Sequence, residues 1–191
     1  MYTFYQSPGS SSMAVHIALH EVGAPFETKR IHFADREKDP PEFRALNLEG
    51  KVPTLVIDGR PLTEVAAILY YLAQTYPEAK LFPSGNIEAG AHVISWMSFI
   101  ASSVHPARRF GEEYGRMIYD IADKRLAGRT WAVGGYSIAD IHLFRLFWRF
   151  GRTLGDETVY PNLHRHYAQM LQRPAVLKTL AAEEAEGYAL P

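Results

Sequence analysis

The stretch from Lys51 to Ala73, KVPTLVIDGRPLTEVAAILYYLA, admits few folds. Thr54 to Ile57 is a short apolar, β-branched run. Asp58-Gly59 is a strong two-residue hairpin signal, and Arg60 to Leu62 is long enough for a return strand. A helix should follow at once, with Thr63 as its cap, Glu64 at the positive end of its dipole, and Val65, Ile68, Leu69 and Leu72 at helical spacing. Pro53 cannot donate to a strand ladder, so a Val-Pro just before a buried strand needs a reason. A cis Val52-Pro53 bond, which turns the backbone of Val52 outward as an unpaired edge, is one such reason.

The residues before this stretch read as strand, polar loop, helix. Tyr2 to Tyr5 is a first strand and Gln6-Ser7-Pro8-Gly9 a loop. Ser10, Ser11 or Ser12 caps a helix that lines one face with Ala14, Val15, Ala18, Leu19 and Val22, and Gly23 stops it. Phe26 to His32 makes a second strand and Pro40 to Leu46 a short helix or irregular crossover. The order βαβ, crossover, ββα matches a thioredoxin-like domain over residues 1–76, and the right-handed βαβ rule puts the first loop on the same edge as Val52. Residues 77–88, PEAKLFPSGNIE, form a linker. Beyond it, residues 89–191 read as an all-helical domain: Ala89 to Val104; Tyr114 to Leu126 with Met117, Ile118, Ile121 and Leu126 inward; a capping-box-like start at Ser137-Ile-Ala-Asp140; and helices opened by Pro161 and Pro174.

Twenty basic against twenty-one acidic residues give a formal charge of -1, which supplies no attraction for nucleic acid or an anionic membrane. Without cysteine there is no disulfide, no thiol nucleophile and no Cys-based metal site. The start of the chain lacks a basic, apolar leader pattern and no stretch approaches membrane-spanning length, so a cytoplasmic location is expected. His16 and His20 are spaced as metal ligands but lack a third, so no metal is expected. His164 and His166 read as surface residues.

Taken in order, these motifs resemble the glutathione S-transferase family over nearly the full length. The Val-Pro-x-Leu strand, the hairpin and Leu-Thr-Glu-x-x-Ala-Ile are similar to its glutathione-binding half. Gly134 to Asp140, Tyr160-Pro-Asn-Leu and Arg173-Pro-Ala-Val resemble its helical half. The likeness is nearest to the bacterial beta class, whose Pro-Gly-Ala-Cys-Ser is matched here by Pro8-Gly9-Ser10-Ser11-Ser12. Ser11 therefore replaces the class's cysteine. The fold implied is an α/β thioredoxin-like domain followed by an all-α domain.

What the resemblance implies about chemistry can be stated residue by residue. Glutathione, as co-substrate, binds along the backbone of Val52 and at the start of a helix through Glu64 and Val65. Val65 stands where the family has serine, so a hydroxyl contact is missing. Arg36 matches a lysine that meets a glutathione carboxylate, and Ser98 and His105 match residues that line the active site. Ser11 or Ser10 holds the thiol as thiolate at a helix N-terminus, where the dipole lowers a thiol pKa; the bland reading is that these serines only cap the helix. The partners implied are a small hydrophobic electrophile and a second copy in a homodimer, with Tyr70, Tyr71 and Trp96 suited to an interface. Between His105 and Gly134 there is less chain than the family uses for the helices walling its electrophile pocket. The leading reading is an enzyme that adds the glutathione thiolate to this electrophile, supported by the retained Val52-Pro53, Glu64 and His105. The short segment, the lost cysteine and Val65 count toward the alternative of a non-catalytic binding or regulatory protein. A glutathione-dependent isomerase, reductase or ether-cleaving enzyme differs only in the second substrate.

Overall fold

A computed structural model describes residues 1–188, with the side chain of Arg36 left out. Its contacts divide the chain into two compact units, residues 1–72 with 174–191, and residues 73–173.

The first unit is built on a four-stranded mixed sheet in the order β2-β1-β3-β4. Its strands are β1 (Tyr2–Gln6), β2 (Phe26–Arg30), β3 (Thr54–Ile57) and β4 (Arg60–Thr63). β1 runs parallel to β2 and antiparallel to β3, and β3 pairs with β4 through Asp58 and Gly59, both at positive φ as a two-residue hairpin requires. Pro61 lies on the edge strand β4, where its missing N–H costs no central ladder bond. The Val52-Pro53 bond is cis. Thr63 does not cap the helix that follows: it ends β4 opposite Thr54, and Glu64 takes the position before α3 (Val65–Thr75).

Between β1 and β2 runs α1 (Ser12–Glu21), which departs from a one-sided amphipathic helix. All eight residues from Ser12 to Leu19 are buried. The cause is the final helix, α9 (Pro174–Glu186), which packs on α1 while β1 also contacts it, so no face is left to solvent. The short α2 (Phe43–Leu46) completes the crossover, and Tyr5, Ile31, Phe43 and Val52 form a core around it.

The second unit is helical. It contains α4 (Ile87–Phe99), α5 (Glu112–Arg125), α6 (Ile138–Leu146), a single turn α7 (Arg152–Leu154) and α8 (Pro161–Met170). The capping box at α6 forms: the Ser137 hydroxyl accepts from Ala139 and the Asp140 carboxylate accepts from the Ser137 N–H at 2.9 Å. Every residue of α6 is buried, so it is the central rod of this unit. Asp140 reaches further than a cap. Its Oδ1 accepts from the Ala132 N–H at 2.8 Å and pairs with His166 Nε2 at 3.0 Å. His166 is therefore a core residue rather than a surface one, because a fully buried carboxylate must find donors.

The inward stripe of α5 also differs from expectation. Ile118 and Leu126 are buried, but Met117 and Ile121 are exposed. The polar Asp123 takes an inward position instead, accepting from the Asn162 and Leu163 N–H groups at 2.8 Å each and so capping α8. Trp96 is buried too, its indole N–H donating to Ala132 O at 3.0 Å, which removes it from any interface set. Two helices continue into π turns, Ile100–Val104 after α4 and Phe147–Gly151 after α6; one extra residue per turn of this kind gathers at functional positions.

Candidate functional site

The loop from Ser7 to Ser12 sets three serines in different roles. Ser12 Oγ donates to Ser7 O at 3.1 Å and accepts from Ser7 N at 3.1 Å, and it lies 2.7 Å from Ser10 Oγ. Since its own proton goes to Ser7 O, the Ser10 hydroxyl is the donor of that last bond. Ser10 Oγ in turn accepts from Ser12 N at 3.2 Å. Both side chains are buried, so together they brace the loop from inside. Ser11 differs. It is half-buried, makes no side-chain cap to α1, and donates its hydroxyl to Val52 O at 3.0 Å. Of the two candidate serines, Ser11 is the one whose proton points at the neighbouring backbone edge.

A residue from the far end of the chain holds this loop. Glu183 on α9 is fully buried; its Oε2 accepts from the Gly9 N–H at 2.7 Å and its Oε1 meets His16 Nδ1 at 3.0 Å. Gly9 has φ 75°, and a Cβ there would stand 3.0 Å from the Tyr188 ring, so glycine is what lets the backbone present its N–H to the carboxylate. Gln6 Nε2 donates to Glu186 at 2.9 Å, and Arg30 donates to the Glu186 and Gly187 carbonyls. In the sequence Gly9 entered only through the Pro-Gly motif and His16 only as half of a metal spacing, and Glu183 did not stand out at all. The available signal was an acid seven residues after Val176 on the buried stripe of α9, which also carries Ala175 and Thr179. His16 is not set for metal: its ring contacts Glu183, and the His20 ring lies 5.0 Å away against Phe26. Among the described residues no cluster of three metal-binding side chains occurs.

Val52 and the Ser11 hydroxyl are thus brought together. Glu64 and Val65 mark the start of α3. Glu64 is exposed with φ 69°, a left-handed conformation that a non-glycine side chain adopts at a cost of about 1–3 kcal/mol, commonly at ligand-holding positions. Val65 is buried, and its side chain supplies no hydroxyl. Arg36 opens a short turn over Arg36–Lys38, and its side chain lies outside the described residues.

Ser98 and His105 belong to the second unit. Ser98 is exposed near the end of α4, and His105 follows the π turn, its N–H donating to Ile100 O at 2.8 Å. His105 is exposed at its rim, yet protein crowds the ring enough for desolvation, followed by the charges of Arg145 and Arg109, to push its pKa down to about 4. His142, buried on α6, is pushed down to about 3 by burial first and by His105 and Arg145 next. Both imidazoles are therefore neutral near pH 7, the state in which a histidine can accept a proton or a hydrogen bond.

A thioredoxin-like sheet with a serine loop beside a Val-Pro edge, followed by a helical unit, defines a class of glutathione-handling folds. Family models agree with it. The glutathione S-transferase N-terminal domain matches residues 1–74 and the C-terminal domain matches residues 112–174. Glutathione S-transferase GstA of Escherichia coli O157:H7 is 30% identical, covering 96% of this chain and 98% of its own. Glutathione S-transferase GST-4.5 of Xanthomonas campestris pv. campestris is 32% identical over 73% of this chain and 78% of its own. The structure of a sphingomonad glutathione S-transferase complexed with glutathione superposes with a TM-score of 0.86 at 34% identity, covering 95% of this chain and 98% of that one. The chain belongs to the glutathione S-transferase family.

Proposed function

We propose that the protein binds glutathione along Val52, Glu64 and Val65 and transfers its thiolate to a hydrophobic electrophile. The observation that carries this reading is the Ser11 hydroxyl, half-buried at the N-terminus of α1 and 3.0 Å from Val52 O. A cysteinyl thiol lying along the Val52 edge has this hydroxyl as its nearest donor. On loss of the thiol proton to water, the Ser11 proton swings from Val52 O to the sulfur. The swap exchanges a neutral hydrogen bond worth about 1 kcal/mol for a charge-assisted one worth about 1.5–3 kcal/mol, which lowers the thiol pKa. The dipole of α1 acts in the same direction. The sulfur lone pair then forms the new C–S bond, and the displaced electron pair departs with a leaving group or is protonated from solvent.

Ser10 is assigned to the loop brace rather than to the sulfur, since its proton goes to Ser12. The Val65 N–H at the α3 start receives a glutathione carboxylate in place of the missing hydroxyl contact, with Arg36 as a further charge. Ser98 and His105, the latter neutral near pH 7, serve the second substrate. The protein works as a homodimer in detoxification, in the cytoplasm. Exposed Tyr70 on α3 and exposed Ile94, Met117 and Ile121 on α4 and α5 supply apolar surface for a second copy, and among the described residues no helix is long and apolar enough to cross a membrane.

Calorimetric titration with glutathione tests the reading. Binding in the millimolar range is expected for the wild type, and tighter binding for Val65→Ser by roughly the ~1 kcal/mol of one restored hydrogen bond. No heat in either protein would overturn it in favour of a non-enzymatic binding role.

A further inference from the structure

The helical unit carries a concavity that the transferase reading does not use. A cavity of about 380 Å³ opens beside α4, the C-terminal end of α5 and the loop that follows, lined by His92, Trp96, Lys124, Arg125 and Arg129 and by three small apolar residues of that loop. No carboxylate lines it. Its volume falls in the range of small-molecule sites, about 300–1,000 Å³.

Its walls are fixed by buried contacts. The Trp96 indole donates to Ala132 O at 3.0 Å, and the Ala132 N–H is held at 2.8 Å by the buried carboxylate of Asp140. Arg125 is clamped: its guanidinium carbon lies 4.1 Å from the Trp96 ring centre and 4.6 Å from that of Phe99, with Ser95 Oγ at 3.5 Å. Burial lowers the Arg125 pKa, the mark of a cation removed from part of its hydration without a counter-charge. Carbonyl oxygens at the end of α5 oppose an anion, but Arg165 already donates to Leu126 O at 3.3 Å and Arg129 O at 2.9 Å. Lys124 and His92 have acidic neighbours one turn back, Asp120 at 2.6 Å and Glu88 at 3.9 Å. Among the described residues neither Arg125 nor Arg129 is paired with a carboxylate.

We propose that this cavity binds a small, multiply charged oxyanion of the phosphate class, with Arg125 as the fixed donor and Arg129 and Lys124 closing on it from solvent. A guanidinium presents parallel N–H groups that match two phosphate oxygens, and one already held by aromatic faces loses little freedom on binding. The site is independent of the transferase reading, since none of its residues serves the glutathione site.

The test is calorimetric titration of the full chain with sodium pyrophosphate against a sodium chloride control of matched ionic strength, with and without saturating glutathione. Expected are one site per chain with submillimolar affinity, at least ten-fold weakening in both Arg125→Gln and Arg129→Gln, and no effect of glutathione. Arg129 is exposed, so its variant decides the matter should Arg125→Gln fail to fold. Absence of heat beyond the chloride control, affinity unchanged in Arg129→Gln, or competition with glutathione would each overturn the proposal.

Discussion

Replacing Glu183 should loosen the serine loop from a distance, and by an amount that depends on the replacement. In Glu183→Ala the Gly9 N–H and the His16 ring nitrogen lose their partner inside the protein, where Glu183 had been fully buried. Taking the acceptor from two buried donors costs about 1–3 kcal/mol each, about 2–6 kcal/mol together, a large part of a stability of about 5–15 kcal/mol. At about 2–4 °C per kcal/mol for a chain of this size, the melting temperature should fall by on the order of 10 °C. Glu183→Gln should be milder. Its amide oxygen can still accept from Gly9, and its NH₂ group is satisfied if His16 turns Nδ1 into an acceptor by changing tautomer, which limits the loss to about 1–2 kcal/mol. Urea unfolding at pH 7.5 measures both values, and glutathione titration of each folded variant reads the loop. A loss below about 1 kcal/mol in the alanine variant would show that the contact does not hold the loop. Equal losses in the two variants would refute the tautomer argument.

Ser12→Ala should destabilise the protein by about 1–3 kcal/mol, because it takes the buried acceptor from the Ser7 N–H, while Ser7 O keeps the Ser10 N–H at 3.0 Å. Ser11→Ala should cost no more than about 1 kcal/mol while raising the thiol pKa of bound glutathione, followed as thiolate absorbance; unchanged titration in Ser11→Ala would reduce all three serines to loop structure. Acid should weaken the fold through His20, His105 and His142, whose pKa values lie below the usual 6.5, at about 4, about 4 and about 3. The unfolded chain binds the protons first, so the stability these groups contribute is present above pH 6.5 and is lost as pH falls toward 3–4. Melting curves from pH 7.5 to 4.5 should show this slope, and His142→Gln should flatten it. Light scattering at micromolar concentration should give twice the mass of the chain; a monomer would count against the paired assembly.

Local chemistry made parts of both units legible. Asp58-Gly59 announces its hairpin because few dipeptides accept two positive φ values, and Ser137 with Asp140 announces a helix start because the reciprocal bonds lie three residues apart. What escaped were partners set by tertiary structure. Asp140 shows its cap in sequence but not its bonds to Ala132 and His166. Periodicity assigned Met117 and Ile121 inward, yet the stripe of α5 is rotated toward Tyr119 and Asp123 by the need to cap α8. The π turns have no residue signature, since an extra residue in a turn is tolerated only where neighbouring elements accept it. In the candidate site, Val52, Glu64 and the serines are proposed from their motifs, but the division of labour among the serines depends on where each hydroxyl proton goes. Glu183 was hidden by more than 170 residues of separation from Gly9.

That separation gives the order of events during synthesis a particular shape. The sheet and α1 emerge from the ribosome first, and residues 73–173 follow before α9 exists. At about 5–20 residues per second, the roughly 150 residues between α1 and α9 keep α1 uncovered for about 8–30 s. In that interval the face of α1 that α9 will hide, with His16 on it, is open to solvent and to chaperones, and Gly9 awaits its acceptor. A nascent chain stalled before residue 174 should therefore hold a sheet whose serine loop is untethered, so that this loop is tied down only after the helical unit has been made.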